Sequence, residues 1–412
     1  MKIQTIRALQ ILDSRGNPTL SVQVELEGSI WGEAKVPSGA STGKHEAVEL
    51  RDAGQGVGSA VKNVEQRIAP ALKGMDAGDQ AAVDSALIAL DGSPDKSNLG
   101  ANAILGVSCA VARAAAAAEG VPLWRRLAGR RQAAIPLPMV NILSGGLHAG
   151  RNFEFQDFLA VPHGLATYSE ALDAVVTIHR ATRELLEKEG HVLTGVSDEG
   201  GWGPRLPNNE AALDVLTRGI AAAGFQPGSQ VSIAIDAAST QFFAGGQYHL
   251  AGEGRALDSA GMVRLLCDWV SRYPVISIED GLAEDDWDGW RLLTQELGSR
   301  VQLVGDDLFT TNLTRLNRGI GLGVANAVLV KMNQIGTLTE TFAVIDRARE
   351  AGYGAVISAR SGETEDAFLA DLAVASGAGQ IKVGSVTRSE RLAKYNRLLE
   401  IEKWEGVASG SG

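Results

Sequence analysis

Charged residues recur in step with short apolar runs over the C-terminal two thirds of the chain. From Glu279 onward the spacings between them are 27 (306 − 279), 25 (331 − 306), 29 (360 − 331) and 22 (382 − 360) residues. One strand–helix unit of a barrel takes about 30 residues, so these side chains are expected at the carboxyl ends of successive parallel strands, where barrel active sites lie. Chance combined with surface solvation is the alternative. The residues are Asp236, Glu279, Asp306, Lys331, Arg360 (after Ala359) and Lys382.

The apolar runs alternate with amphipathic segments, which predicts a parallel sheet and most economically a barrel. The strand-like runs are 231–235, 275–278, 302–305, 327–330, 354–358 and 380–381. The predicted helices between them include 259–271, 292–297 and 338–351.

The N-terminal part has a different organisation, with strands first and helices afterwards. Strand-like runs at 3–12, 19–26 and 30–36 precede helical periodicity at 57–72, 80–90 and 101–118. This order is typical of a small α+β domain. Because 412 residues exceed what one core usually organises, we expect two domains, at 1–127 and 135–405, with a link at 129–135.

The net charge of −11 argues against non-specific affinity for nucleic acid or an anionic membrane, because both need a basic surface. The most apolar stretch, 103–118, contains Arg113 and is short for a membrane span. Cys109 and Cys267 fall in helical patterns typical of core thiols. We therefore expect a cytoplasmic protein, whose short basic segments, such as Lys394–Arg397, lie on solvated helix faces.

Three of the strand-end residues are carboxylates, which a barrel would bring close together. Asp236, Glu279 and Asp306 would repel one another unless a cation neutralised them. All-oxygen ligands favour Mg²⁺ or Mn²⁺ over zinc. A salt-bridge network with Lys331 and Lys382 is the structural alternative. A lysine beside another cation also loses its proton more easily and can then act as a base.

Two loops add candidate groups. The segment 37–43, Pro-Ser-Gly-Ala-Ser-Thr-Gly, offers hydroxyls and amides that suit an oxyanion or a metal. The segment 197–201 carries Glu199 beside two glycines, a suitable position for a general acid. Segments like 37–43 are usually ordinary turns, and 197–201 is equally interpretable as one.

Several long motifs resemble the enolase family in the same order, over about residues 3–402. They are 13–19 (Asp-Ser-Arg-Gly-Asn-Pro-Thr), 38–43, 198–201, 277–280 (Ser-Ile-Glu-Asp), 305–308 (Gly-Asp-Asp-Leu), 331–336 (Lys-Met-Asn-Gln-Ile-Gly) and 360–366 (Arg-Ser-Gly-Glu-Thr-Glu-Asp).

The resemblance implies an α/β fold: a modified (β/α)8 TIM barrel that starts with two strands and two helices, under an N-terminal α+β capping domain. It also implies a homodimer or larger assembly that interconverts 2-phosphoglycerate and phosphoenolpyruvate with two Mg²⁺ ions. The implied metal ligands are Asp236, Glu279 and Asp306 for the first ion and Ser41, which also contacts substrate, for the second. The implied catalytic residues are Lys331 as the base at C2, Glu199 at the C3 hydroxyl, and Asp157. The implied substrate-binding residues are Lys382 at the carboxylate, Arg360 and Ser361 at the phosphate, and His148 and Gln156.

The departures from the family pattern cluster on the leaving-group and phosphate side. Ala359 stands where the pattern has histidine, and Asp157 where it has glutamate. Arg151 and Arg205 each replace an asparagine, and Ser144 stands where Asn-Gly-Gly begins. Loss of a general-acid partner costs about two to four orders of magnitude in rate. The two arginines suit an additional phosphate, phosphonate or carboxylate, with drift at loop positions as the alternative.

Three hypotheses follow. The first is a repurposed enolase that joins its activated substrate to a second anion, as in the carboxyphosphonoenolpyruvate synthase of phosphonate natural-product pathways. The second is an ordinary enolase with a tolerated or engineered Ala359. The third is a non-catalytic binding protein on the same scaffold.

Overall fold

The computed structural model describes residues 1–39 and 43–410. Its N-terminal part is a three-stranded antiparallel sheet followed by helices. The strands are β1 (Ile3–Leu12), β2 (Pro18–Leu26) and β3 (Ile30–Lys35). The helices are α1 (Gly58–Asn63), α2 (Ala69–Leu72), α3 (Gln80–Asp91), α4 (Ala101–Glu119) and α5 (Leu123–Ala128).

The helix predicted at 57–72 is interrupted by a π-helical segment, Val64–Ile68, between α1 and α2. Pro70 is in the first turn of α2. Proline has no backbone N–H and its ring crowds the preceding turn, so the regular hydrogen-bond ladder cannot run through it. The interruption therefore follows from one residue in the sequence.

Helix α4 is the centre of the small domain. It is long and apolar enough to cross a membrane, but 83% of its most apolar window is buried inside the protein, as in a core helix. The sheet approaches it at backbone distance: a side chain at Gly32 would place its Cβ 2.2 Å from Ala110 O and 2.3 Å from Ala114 N. Small residues on both surfaces thus allow the contact.

The rest of the chain forms a closed eight-stranded barrel, as the alternation of runs and helices predicts. β5 is antiparallel to both of its neighbours, and the remaining pairs are parallel. The barrel strands are β4 (Leu137–Ser144), β5 (Asp157–Val161), β6 (Ser232–Asp236), β10 (Val275–Glu279), β11 (Gln302–Gly305), β12 (Ala327–Val330), β13 (Gly354–Ser358) and β14 (Gly379–Gly384).

Helices cover the barrel, and a small antiparallel sheet stands between β6 and the next helix. The helices are α6 (Tyr168–Lys188), α7 (Asn209–Ala222), α8 (Ser259–Arg272), α9 (Trp287–Leu297), α10 (Leu313–Leu322), α11 (Leu338–Glu350), α12 (Phe368–Ser376) and α13 (Ser389–Trp404). The small sheet is β7 (Phe243–Ala244), β8 (Gln247–Leu250) and β9 (Arg255–Leu257). Two strands followed by two helices therefore open the barrel.

A buried carboxylate ties the small domain to the barrel. Asp84 on α3 accepts hydrogen bonds from Ser108 Oγ (2.7 Å) and from the backbone N–H of Thr339 (2.9 Å) in the first turn of α11. A charge in this position also complements the helix dipole. The contact helps to hold the small domain in place beside the barrel.

Candidate active site at the barrel mouth

Three carboxylates and two lysines meet at the carboxyl ends of the barrel strands. Asp236 ends β6, Glu279 ends β10 and Asp306 follows β11. Lys382 Nζ donates to Asp236 Oδ2 at 2.6 Å and to Glu279 Oε2 at 2.8 Å. Lys331 Nζ donates to Asp306 Oδ2 at 2.5 Å. The strand-end charges that the sequence spacing predicts are therefore neighbours in space.

The carboxylates hold both amines in the charged form. Burial lowers the pKa of Lys331, but Asp306 outweighs it and raises this pKa above its ordinary value. Burial likewise opposes the charge of Lys382, whose pKa Asp236 and Glu279 raise well above the usual range. A cation bound to the carboxylates would weaken this stabilisation, and each lysine would then release its proton more readily.

The donor set fits a hard cation. Glu279 Oε1 and Gln156 Oε1 are buried and have no hydrogen-bond partner among the described residues. Gln156 Nε2 reaches Asp236 Oδ2 at 3.3 Å. Oxygen atoms buried without a partner are costly, and Mg²⁺ prefers oxygen ligands. Asp236, Glu279 and Asp306 would hold such an ion.

Among the described residues, two groups of three side chains could each hold a metal ion, because the ligand atoms within each group lie within 4.8 Å of one another. The first group is His148, Asp157 and Glu199, and the second is Asp280, Asp306 and Asp307. Of the predicted ligands Asp236, Glu279 and Asp306, only Asp306 belongs to one of these groups. Asp280 accepts the backbone N–H groups of Asp306 (2.9 Å) and Asp307 (2.8 Å), so it orients the Asp306 loop.

A histidine and two carboxylates form the opposite wall. His148 Nδ1 is 2.9 Å from Asp157 Oδ2, and His148 Nε2 is 3.9 Å from Glu199 Oε1. Burial lowers the pKa of His148, but the charges of Asp157 and Glu199 raise it to about 9. Burial raises the pKa of Glu199, yet His148 and Arg391 outweigh it and hold this pKa below its ordinary value. This wall therefore holds an imidazolium beside ionised Glu199.

Asp157 lies behind His148 and is fully buried. One of its oxygens accepts from Asn141 Nδ2 (2.5 Å) and Ser144 Oγ (2.9 Å), and the other contacts His148. Asp157, which is one methylene shorter than the glutamate of the family pattern, thus fixes the orientation of the His148 ring through Nδ1. Asn141 is a residue whose role the sequence did not suggest.

The loop carrying Glu199 is held by its backbone. Glu199 O accepts the N–H of Ser385 at 2.8 Å, and Gly200 O accepts Thr387 Oγ1 at 2.7 Å. His179 Nε2, at 3.3 Å, is the second donor to Gly200 O. Burial lowers the pKa of His179 to about 4, so the ring is neutral and its Nε2 carries the proton. No motif in the sequence indicates His179 or Thr387.

The loop carrying Arg360 and Ser361 is anchored by α13. Arg391 is fully buried and donates to Arg360 O (2.7 Å), Ser361 O (2.8 Å) and Val383 O (2.9 Å). Lys394 is 1% exposed and pairs with Glu363 at 2.8 Å. The prediction of a solvated face at Lys394–Arg397 is therefore wrong for Lys394 and Tyr395, because the helix packs this face against the loop.

These walls enclose a cavity of about 20 Å³, which is room for about one water molecule. Ala359 lines it, so the position where the family pattern has histidine faces the site. Arg151 and Arg205 are exposed and do not line it. Ser41 lies outside the described residues. The predicted site residues that do line the cavity are His148, Gln156, Glu199, Asp236, Lys331, Arg360, Ser361 and Lys382.

A barrel with acidic strand ends, paired lysines and an arginine loop is an arrangement suited to metal-assisted proton abstraction. Residues 3–127 match the family model "Enolase, N-terminal domain", and residues 132–410 match "Enolase, C-terminal TIM barrel domain". The chain belongs to the enolase family and is an enzyme of that superfamily with lyase-type chemistry. The fold class and family expected from the motifs are thus confirmed, and the non-catalytic hypothesis is set aside.

Proposed function

We propose that this enzyme uses Mg²⁺ to remove the C2 hydrogen of a small phosphorylated carboxylate, 2-phosphoglycerate. The observation that carries this proposal is the pairing of Lys331 with Asp306 and of Lys382 with Asp236 and Glu279, opposite His148. Amines beside carboxylates at a barrel mouth suit both metal binding and proton transfer.

Each group has a role in this proposal. Asp236, Glu279 and Asp306 would hold the ion, which when bound stabilises the negative charge of an ene-diolate. Lys331 takes the proton from C2, and the electron pair remains on the substrate. Lys382 and Gln156 contact the carboxylate.

Arg360 and Ser361 bind the phosphate. The Arg360 guanidinium already contacts Glu46 Oε2 and Asn333 Oδ1, each at 2.9 Å, which orients it in the site. An oriented guanidinium binds phosphate in bidentate fashion. Ser41, implied by the resemblance for the second ion, lies outside the described residues.

The fate of the electron pair separates two reactions. In dehydration the electron pair expels the C3 hydroxyl. Glu199 donates to this hydroxyl a proton that it has taken up from the His148 imidazolium, and water leaves. In transfer a bond forms from the enolised substrate to the electrophilic carbon or phosphorus of a second anionic substrate, and the bond between that atom and its phosphate or nucleotide leaving group breaks. We propose transfer, as in carboxyphosphonoenolpyruvate synthase, because Ala359 removes a histidine from the leaving-group wall. Ordinary dehydration with Glu199 alone is the second candidate.

Hydrogen exchange at C2 tests the shared half-reaction. Wild-type enzyme, 2-phosphoglycerate and Mg²⁺ are incubated in D₂O, and loss of the C2 proton signal is followed by NMR beside phosphoenolpyruvate formation. We expect exchange in wild type and a loss of at least about 100-fold in Lys331→Met. Absence of exchange in the Mg²⁺-loaded wild type would refute the proposal.

Restoring the histidine separates the two fates. If transfer is correct, the wild type exchanges the C2 hydrogen but forms little phosphoenolpyruvate, and Ala359→His raises the dehydration rate only slightly. A rise of about 100-fold or more in dehydration would instead favour an ordinary enolase with a variant residue.

We also propose a cytoplasmic homodimer or larger assembly. Leu9 and Leu12 on β1 are each 64% exposed and Trp31 on β3 is 40% exposed, which supports burial of this sheet in an interface. Size-exclusion chromatography with light scattering measures the assembly, and a monomer at micromolar concentration would contradict it.

A further inference from the structure

A second cavity adjoins the active site on the outer side of the His148 turn. It has a volume of about 190 Å³, almost ten times that of the catalytic cavity. Gly146 and Leu147 line it, whereas His148, the next residue, lines the catalytic cavity. One short 3-10 turn, Gly146–Ala149, therefore separates the two spaces.

The far wall of this cavity also comes from an active-site segment. Gln241 and Phe242 belong to the turn Ser239–Phe242, which begins three residues after Asp236. Glu154 also lines the cavity: one of its oxygens accepts Asn209 Nδ2 at 2.8 Å and the other accepts the N–H of Gly252 at 2.7 Å. Both oxygens of this carboxylate are therefore engaged by neighbouring donors.

The lining combines fixed aromatic rings with one unpaired cation. Phe242 stacks on Phe155 at 5.7 Å between ring centroids, and Phe153 packs edge-on against Phe158 at 5.9 Å. Arg151 lines the same cavity, and within residues 1–39 and 43–410 its guanidinium has no hydrogen-bond, ion-pair or ring partner. Most other arginines near the site are paired, so Arg151 is available to bind a ligand.

The backbone conformation at Arg151 argues against neutral sequence drift as the reason for an arginine at this position. Its φ is +60°, in the left-handed region, where asparagine is tolerated better than other side chains that are not glycine. The family pattern has asparagine at this position. An arginine here is therefore unfavourable for the local backbone, and a role for its charge explains why it is present.

We propose that this cavity binds a second small organic anion with a planar or apolar portion, beside the catalytic cavity but separated from it by the Gly146–Ala149 turn. Arg151 binds the carboxylate or phosphonate, and Phe153, Phe242 and Leu147 contact the apolar portion. This assignment does not depend on whether the catalytic cavity carries out transfer or dehydration.

Phenylphosphonate is a suitable probe, because it carries both an anion and a ring, and benzamide is its uncharged counterpart. Binding is measured by isothermal titration calorimetry on wild type, Arg151→Met and Arg264→Met. Arg264 is an exposed arginine on α8 that does not line the cavity. We expect Arg151→Met to weaken phenylphosphonate binding about fivefold, as for one partly exposed ion pair, with benzamide unchanged and Arg264→Met like wild type.

A repeat titration with saturating 2-phosphoglycerate and Mg²⁺ identifies the cavity that binds the probe. Retained binding is expected, whereas displacement would mean that phenylphosphonate enters the phosphate position at Arg360 and would overturn the assignment. Equal affinity in the two arginine variants, or no binding to wild type, would overturn it as well. C2-hydrogen exchange in wild type is measured separately, so a failure of the proposed half-reaction is distinguishable from a failure of this site.

Discussion

Replacement of Arg391 by methionine should displace the loop that carries Arg360 and Ser361, the proposed phosphate-binding residues. The side chain is fully buried on α13, and its guanidinium donates to three carbonyl oxygens: Arg360 O, Ser361 O and Val383 O. Methionine keeps much of the length and apolar volume but donates no hydrogen bond. The variant therefore separates the three hydrogen bonds and the charge from simple filling of space.

The magnitude follows from these contacts. A buried carbonyl that loses its donor costs about 1–3 kcal/mol, and Ser361 O keeps a weak bond from Ser14 Oγ at 3.4 Å. The loss of stability should then be roughly 3–6 kcal/mol. Displacement of Arg360 by even about 1 Å should lower the C2-exchange rate constant divided by KM by about 100-fold. Removal of the Arg391 charge should also raise the pKa of Glu199, which moves the alkaline limb of the dehydration pH profile to higher pH because Glu199 acts there as the proton donor.

Arg397→Met is the matched control. Arg397 is also on α13, but it pairs with Asp371 (2.9 Å) and Glu405 (2.8 Å), away from the site. Urea unfolding, exchange kinetics and the pH profile are measured for both variants. The reasoning is refuted if the two variants lose similar stability and share the wild-type KM and alkaline limb, because α13 would then act only as a packing element.

Three further predictions concern the charges of the site. The folded-state pKa of His148 is about 9, above the ordinary 6.5, so its contribution to stability is full below about pH 6.5 and is lost as pH rises through about 9. Asp157→Asn should lower this pKa, as an NMR titration of the ring would show; an unchanged pKa would contradict the pairing. Mg²⁺ should raise the urea midpoint of wild type but much less that of Glu279→Gln, and equal shifts would exclude Glu279 as a ligand. Thr387→Val should slow dehydration by about tenfold and leave C2 exchange unchanged, because it removes only the hydrogen bond to Gly200 O in the Glu199 loop. Phosphoenolpyruvate formation and C2 exchange by NMR measure the two rates, and slower exchange would contradict the prediction.

The parallel part of the barrel could be predicted from the sequence because its strands are buried on both faces. Such strands are continuous apolar runs, and the bounds Gln302–Gly305, Ala327–Val330 and Gly354–Ser358 agree with the prediction. The first two strands form no strand–helix unit. Leu137–Ser144 contains proline and asparagine, and Asp157–Val161 begins with a carboxylate, so neither was found as an apolar run.

The residues that face the catalytic cavity were predictable, whereas those that hold them in place were not. A charge at the end of a strand has a position that follows from the strand period. Arg391, in contrast, contacts carbonyl oxygens 31 and 30 residues away, and a carbonyl acceptor leaves no mark on composition or charge pattern. For the same reason Lys394 was interpreted as part of a solvated surface.

The close approach of Gly32 to α4 has a consequence for catalysis. The helix touches the sheet on one side and, on another, the turn Met332–Gln334, which directly follows Lys331. Even a single methyl group at position 32 would push α4 outward, because the atoms it would meet are backbone atoms that cannot rotate away. The outer sheet thus fixes, through α4, the position of the turn that follows Lys331, the proposed base. Sequence changes remote from the substrate can alter how fast the enzyme turns over, not merely how long it stays folded.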